Sequence, residues 1–311
     1  MAKDRLLVIC GNASRQLAEL VCRHLGLPLG RADVTRFSDG EVFVQVEENV
    51  RGVDLYIIQS TYPPAEHLME LLMLIDACRR SSARRITAVI PYYGYARADR
   101  KDQPRVSITA KLVATLITEA GADRVLTMDL HSPQIQGFFD VPLDHLYAAP
   151  VIMSYFAGLQ TEGVVVVAPD AGAVKMGRSF AKRLGADLAI VDKRRPAPDR
   201  AELMNVIGEV EGRDCIILDD LINTAGTICQ AAYELKSRGA KRVIACATHG
   251  VFSGGAIERL EKAPVDEVTV TNTIPEQPNL PAKFRVLDVS KLLSKAILNI
   301  HHEESVSSLF I

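Results

Sequence analysis

Residues 215–228 of this chain read Cys-Ile-Ile-Leu-Asp-Asp-Leu-Ile-Asn-Thr-Ala-Gly-Thr-Ile. Four apolar residues fix a buried strand, and two carboxylates, Asp219 and Asp220, stand at its C-terminal end. The small run Asn223-Thr224-Ala225-Gly226-Thr227 then opens a helix. Paired carboxylates accept hydrogen bonds from vicinal ribose hydroxyls, while free N–H groups, two threonine hydroxyls and the positive end of a helix dipole converge on a phosphate. Asp-Asp at a strand end also fits an aspartate-capped βα turn. The Thr-Ala-Gly-Thr behind it favours a sugar phosphate.

Further groups of chemistry-bearing residues follow other strand-like runs. Asp129-Leu130-His131 sets a carboxylate and an imidazole two residues apart in an extended segment, which suits Mg²⁺ shared with a nucleotide, because that ion keeps several waters and takes few protein ligands. Asp170 also ends a strand and precedes small residues, although a helix N-cap would explain it equally. Arg97, Arg100, Lys101 and Arg105 lie on one polar loop, where guanidinium groups bind phosphate oxygens bidentately. Lys193-Arg194-Arg195-Pro196 likewise follows a strand and could bring cations to a developing phosphoryl charge. Phe37-Ser38-Asp39-Gly40-Glu41 offers an aromatic face and two carboxylates able to accept from an exocyclic amine; in isolation it reads as a β-hairpin.

The elements that must position these residues alternate between strand and helix. Apolar runs at Leu6 to Cys10, Leu55 to Gln59, Ile86 to Pro91, Arg124 to Met128, Val164 to Ala168, Leu188 to Val191, Cys215 to Leu218, Val243 to Ala247 and Glu267 to Thr271 predict strands. Apolar spacings of three and four predict helices at 14–25, 65–80, 109–120, 175–184 and 227–238. This alternation means βαβ units on parallel sheets. A faint repeat relates 55–90 to 215–247, so two similar α/β domains are expected, 1–147 and 148–311, with the last residues packing back on the first. Each is a mainly parallel sheet flanked by helices.

The whole chain, 311 residues with 48% hydrophobic and 24% charged, is long enough for two such domains. A formal net charge of −2 carries neither the footprint of a nucleic-acid binder nor that of a membrane binder. The N-terminal apolar run breaks at Gly11-Asn12, unlike a signal peptide or a membrane span, so a cytoplasmic protein is expected. Six cysteines without C-x-x-C spacing are expected to be reduced core residues.

Taken together, 37–41 with Glu48-Asn49-Val50-Arg51-Gly52, Tyr95-Ala96-Arg97 with Asp99-Arg100-Lys101, Asp129-Leu130-His131 with 134–139, Lys193 to Pro196, and 219–227 resemble the class I ribose-phosphate diphosphokinase (PRPP synthase) family along essentially the whole chain. The last segment by itself is also similar to the PRPP motif of type I phosphoribosyltransferases. Those enzymes have no need of the other segments.

The resemblance implies a type I phosphoribosyltransferase-like fold and transfer of diphosphate from MgATP to the anomeric hydroxyl of ribose 5-phosphate. It implies adenine binding by Phe37, Asp39 and Glu41 from a neighbouring subunit, and ATP phosphates on Arg97, Asp99, Arg100 and Lys101. Mg²⁺ would lie on His131 and Asp170, with Asp129 beside it. Ribose 5-phosphate would lie on Asp219, Asp220, Asn223, Thr224, Ala225, Gly226 and Thr227, with Lys193 and Arg195 stabilising the transferring group. A homohexamer activated by inorganic phosphate and inhibited by ADP is implied, with Arg51, Ser82, Ser305 and Ser307 as the regulatory residues. The family usually has aspartate at Asn223, glutamine at Ala98, glycine at Ala173 and arginine at Met176. The amide at Asn223 loses an acceptor charge, which leaves open a second reading, a non-catalytic associated subunit.

Overall fold

The computed structural model describes residues 5–157, 163–194 and 203–310. Those within Met1–Tyr147, Thr273–Pro275 and Val289–Ile311 form one unit, and those within Ala148–Asn272 and Glu276–Asp288 form a second. All six cysteines are free and buried, as their apolar neighbours suggested.

The first unit runs β1 (Leu6–Cys10), α1 (Arg15–Leu25), β2 (Ala32–Arg36), β3 (Val42–Val46), β4 (Asp54–Ile58), α2 (Glu66–Arg80), β5 (Arg85–Ile90), α3 (Thr109–Ala120), β6 (Arg124–Met128) and β7 (Leu143–Leu146). Its five-stranded sheet has the order β1-β4-β5-β6-β7 with every pair parallel, and β2 and β3 form a separate antiparallel hairpin. A parallel sheet is covered on both faces, so its central strands read as near-continuous apolar runs. All five residues of β4 are accordingly buried. Helix α1 turns Leu17, Ala18, Val21 and Cys22 inward and ends at Gly26, whose φ of 68° is a conformation that glycine adopts without penalty.

The second unit runs α4 (Ala149–Ala157), β8 (Val165–Ala168), α5 (Val174–Leu184), β9 (Asp187–Arg194), β10 (Leu203–Ile207), β11 (Asp214–Ile222), α6 (Gly226–Ser237), β12 (Arg242–Gly250), α7 (Ala256–Lys262), β13 (Glu267–Thr271) and β14 (Phe284–Leu287). Its sheet has the order β10-β9-β8-β11-β12-β13-β14, parallel except between β9 and β10. Strand β9 therefore runs through Lys193 and Arg194, and β11 through both carboxylates to Ile222; the sequence places the strand ends earlier. Strand pairing carries them on, since Leu221 still pairs with His249 and Ile222 with Gly250.

Strand for strand, β1, β4, β5, β6 and β7 correspond to β8, β11, β12, β13 and β14, and the hairpin β2–β3 corresponds to β9–β10. The repeat extends to individual bonds. Gly52 N–H donates to Ser82 O at 2.9 Å as Gly212 does to Gly239 O at 2.8 Å. The amides of Ile86 and Val243 both donate to an aspartate Oδ2 at 2.7 Å, from Asp123 and Asp266.

After β14 the chain enters α8 (Ser290–His301), which belongs to the first unit and packs on α1. Asp54, with 0% of its surface exposed, anchors that return. It accepts from Arg85 Nε at 2.7 Å and Nη2 at 2.6 Å, and from the Tyr56 hydroxyl at 3.2 Å, with His301 Nδ1 2.6 Å away. Arg85 also donates to Ile300 O at 3.1 Å. Burial pushes the Asp54 carboxyl up, but the bonds from Arg85 and His301 outweigh it and hold the group below the usual range. Asp54→Ala leaves these donors unpaired and is expected to cost about 3–5 kcal/mol in denaturant unfolding; a loss under about 1 kcal/mol, the scale of an exposed pair, would show the network to be dispensable.

Candidate active site

In the second unit, Asp219 lies half-buried on β11, and its Oδ1 accepts the Asp220 N–H at 2.9 Å. Burial, then the Asp220 charge, then that of Asp170 push the Asp219 carboxyl well above the ordinary carboxylate range. Three carboxylates thus crowd one end of this sheet. The chain next turns through Ala225, left-handed at φ 61°, into α6, whose N-terminus receives no side-chain cap from that residue. First-turn amides have no acceptor within their own helix, so the exposed Thr224 and the positive end of a helix dipole follow the carboxylates.

Asp170 is exposed, and its Oδ1 accepts the Ala173 N–H at 3.0 Å, so it does fasten the turn into α5. Lys193 pairs with Met204 in the β9–β10 hairpin; its side chain, and the whole of Arg195, lie outside the described residues.

In the first unit, Phe37, Asp39 and Glu41 occupy the exposed tip of the β2–β3 hairpin. The tip is closed by Phe37 N–H to Glu41 O at 2.8 Å and by Glu41 N–H to Asp39 Oδ1 at 3.1 Å. Phe37 is 54% exposed and meets Phe43 edge-on at 5.2 Å, leaving a ring surface open to a planar ligand.

The segment after β5 is rooted before it becomes charged. Tyr92, Tyr93 and Ala96 are buried, and the Tyr93 hydroxyl donates to Ala110 O at 2.8 Å. A Cβ at Gly94 would lie 2.1 Å from Thr61 O, so only glycine fits. Arg97, Arg100 and Lys101 follow, all exposed, with Asp99 half-buried.

Asp129 follows β6 with φ 39° and donates its N–H to Leu146 O at 3.0 Å; His131 is exposed. Between them the Leu130 N–H donates to His145 Nε2 at 2.9 Å, so His145 on β7 holds this segment from below. Arg51 Nη1 donates to Ser82 Oγ at 3.3 Å, and Ser305 O accepts from Asn299 and Ser308.

The carboxylates at one end of the second unit's sheet suit a hard cation that takes most of its shell from phosphate and water, and so, separately, do Asp129 and the exposed His131 in the first unit. Positive charge beside Asp219 would offset the carboxylate crowding that raises it. Three residues outside these motifs support them: Ser253, whose hydroxyl donates to Asn223 Oδ1 at 2.6 Å, Arg259, which donates to Thr224 O, and His145; only the Ser253-Gly254-Gly255 run, three residues past the end of β12, carries a local signal in the sequence.

Residues 6–121 match the family profile of the N-terminal domain of ribose phosphate pyrophosphokinase, and 193–311 that of the phosphoribosyl synthetase-associated domain. The chain is 56% identical to a ribose-phosphate pyrophosphokinase of Gloeobacter violaceus, with 100% of this chain and 94% of that one covered. It is 55% identical to that of Brucella melitensis, covering 97% and 99%. The crystal structure of phosphoribosylpyrophosphate synthetase from Mycobacterium smegmatis matches with a TM-score of 0.91 at 40% identity, covering 96% of this chain and 99% of that one. Among the described residues no helix is long and apolar enough to cross a membrane.

Proposed function

The chain belongs to the ribose-phosphate pyrophosphokinase family, and we infer from that premise how its residues divide the work. It is an enzyme of that activity, forming phosphoribosyl diphosphate (PRPP) from ribose 5-phosphate; full-length likeness to named enzymes favours the catalytic reading over the associated-subunit one.

In the reaction we propose, the anomeric hydroxyl of ribose 5-phosphate attacks the β-phosphorus of ATP. An O–Pβ bond forms, and the bond from Pβ to the oxygen bridging to Pα breaks. That oxygen leaves with AMP, and the hydroxyl proton passes to water. Such chemistry is mostly positioning and charge neutralisation. Asp219 and Asp220 accept from the ribose hydroxyls, and the turn from Asn223 to Thr227 takes the 5-phosphate. Phe37 lies against adenine, with Asp39 and Glu41 accepting its amine, in the site of a neighbouring copy. Arg97, Asp99, Arg100 and Lys101 serve the ATP phosphates, and Lys193 and Arg195 stabilise the transferring diphosphate. Mg²⁺, held by His131 and Asp170 with Asp129 alongside, would neutralise phosphate charge.

Inorganic phosphate as activator and ADP as inhibitor, acting through Arg51, Ser82, Ser305 and Ser307 of a cytoplasmic homohexamer, complete the reading. Arg51 already rests on Ser82, which supports that pairing. The observation that carries the sugar-phosphate assignment is the left-handed turn at Ala225 beside the crowded carboxylates.

Purified protein given ATP, ribose 5-phosphate, Mg²⁺ and inorganic phosphate is expected to form AMP and PRPP in equal amounts at about 1 s⁻¹ or faster, and more slowly without phosphate. ATP turnover yielding ADP, or no AMP at all, would defeat the reaction.

A further inference from the structure

Ala225 holds φ 61° and ψ 6°. An L residue keeps this left-handed form only where its surroundings over-determine it. Here the constraint comes from the loop after β12 and from α7. Val251 and Phe252 N–H both donate to Ile222 O at 3.0 Å, and Ser253 N–H donates to Asn223 O at 2.9 Å. The Ser253 hydroxyl donates to Asn223 Oδ1 at 2.6 Å. Arg259 Nη1 donates to Thr224 O, and its Nη2 to Gly254 O at 3.4 Å, joining both loops. Phe252 roots the assembly in the core, with 8% of its surface exposed and its ring edge-on to Phe284 at 5.5 Å.

These bonds also set a direction. In a planar trans peptide the N–H points opposite to the preceding C=O. Ser253 holds the Asn223 carbonyl and Arg259 the Thr224 carbonyl, so the Thr224 and Ala225 amides point away from the bracing loop. Two successive N–H groups aimed one way form an anion-binding nest.

The first unit supplies a contrast. There the loop after β5 grips the turn after β4 in the same topological place, but it consumes the polar groups. Thr61 N–H donates to Tyr92 O at 2.9 Å, Gly94 N–H to Thr61 Oγ1 at 2.8 Å, and Tyr92 N–H to Ser60 Oγ at 3.1 Å. Two prolines follow, without N–H groups to offer.

Resting on the assignment of ribose 5-phosphate to this turn, we propose that Ser253 and Arg259 are positioning residues that hold Ala225 left-handed and thereby aim the Thr224 and Ala225 amides at the 5-phosphate. Neither side chain need touch the ligand. The test is calorimetric titration of ribose 5-phosphate into wild type, Ser253→Ala, Arg259→Ala, Ala225→Gly and the Arg259→Ala/Ala225→Gly double variant, with PRPP kinetics alongside.

Arg259→Ala is expected to weaken the Kd and KM for ribose 5-phosphate by about fivefold or more, and Ser253→Ala, which keeps the backbone bond to Asn223 O and loses only the hydroxyl bond to Asn223 Oδ1, by about twofold or more, while the KM for ATP stays within about twofold in both, the pattern of a lost ground-state interaction at one substrate. Glycine adopts positive φ unaided, so in the Ala225→Gly background Arg259→Ala is expected to cost less than about twofold. Equal cost in both backgrounds, no change in either single variant, or a matching rise in the KM for ATP would overturn the brace. A wild type that binds ribose 5-phosphate but forms no PRPP would defeat the reaction while the titrations still judge the brace; a wild type that does not bind it overturns both.

Discussion

Lys193→Ala is expected to lower turnover by about 10²–10³, the usual cost of removing one preorganised group from a developing charge, while the Kd for ATP stays within about twofold. Strand β9 pairs with β8 only as far as Ile190, and Lys193 lies three residues further on, where β10 alone partners it. It is therefore carried on a two-stranded extension beyond the sheet, in the place where the first unit carries the Phe37 hairpin. As the bond to Pβ breaks, negative charge grows on the oxygen leaving with AMP. An ammonium group gains more there than in the ground state, and a gain confined to the transition state appears in kcat, not in binding. Single-turnover AMP formation with equilibrium ATP binding on the same preparation separates the two. Unchanged turnover removes Lys193 from the mechanism, and a parallel loss of ATP affinity makes it a ground-state phosphate ligand.

The α/β class was legible because both sheets are parallel and covered on both faces, which leaves strands such as Leu55 to Ile58 and Cys215 to Leu218 as unbroken apolar runs. Strands β7 (Leu-Asp-His-Leu), β10 (Leu-Met-Asn-Val-Ile) and β14 (Phe-Arg-Val-Leu) are short and interrupted by polar residues, so no unbroken apolar run marks them. Helix α8 buries Leu292, Leu293, Ala296, Ile297 and Ile300 on one stripe, but Val289 at its N-cap gives no start signal. The candidate chemistry was legible because carboxylates, cations and hydroxyls are conspicuous at the ends of apolar strands. Its support was not. Ser253 acts on a residue 30 positions away, Arg259 on one 35 away and His145 on one 15 away, and no local pattern records such pairings. Both carboxylates were placed beyond the strand for a related reason: β11 continues only because β12 is there to pair with it.

Asp219→Asn is expected to make the protein more stable and a poorer enzyme, with the first effect growing as pH rises. The folded state holds the Asp219 carboxyl above its unfolded value of about 3.9, mainly through burial and then through Asp220 and Asp170. Between the two values the folded protein keeps a proton that the unfolded chain has released, so stability falls as pH climbs through that window, from about 4 to about 8. Asparagine carries no such penalty. Its melting advantage over wild type should be small near pH 5 and larger at pH 8; each 1 kcal/mol relieved corresponds to roughly 2–4 °C in a domain of this size. The same substitution removes a charged acceptor for a ribose hydroxyl, typically about 1.5–3 kcal/mol, or about ten- to hundredfold in kcat/KM for ribose 5-phosphate. A hydroxyl donating to the carboxylate favours the ionised form, so wild-type affinity for ribose 5-phosphate should rise from pH 6 to 8 while that of the variant rises less. Melting curves and titrations across this range decide the matter: a pH-independent melting difference would mean that Asp219 is already ionised and that its neighbours impose no cost.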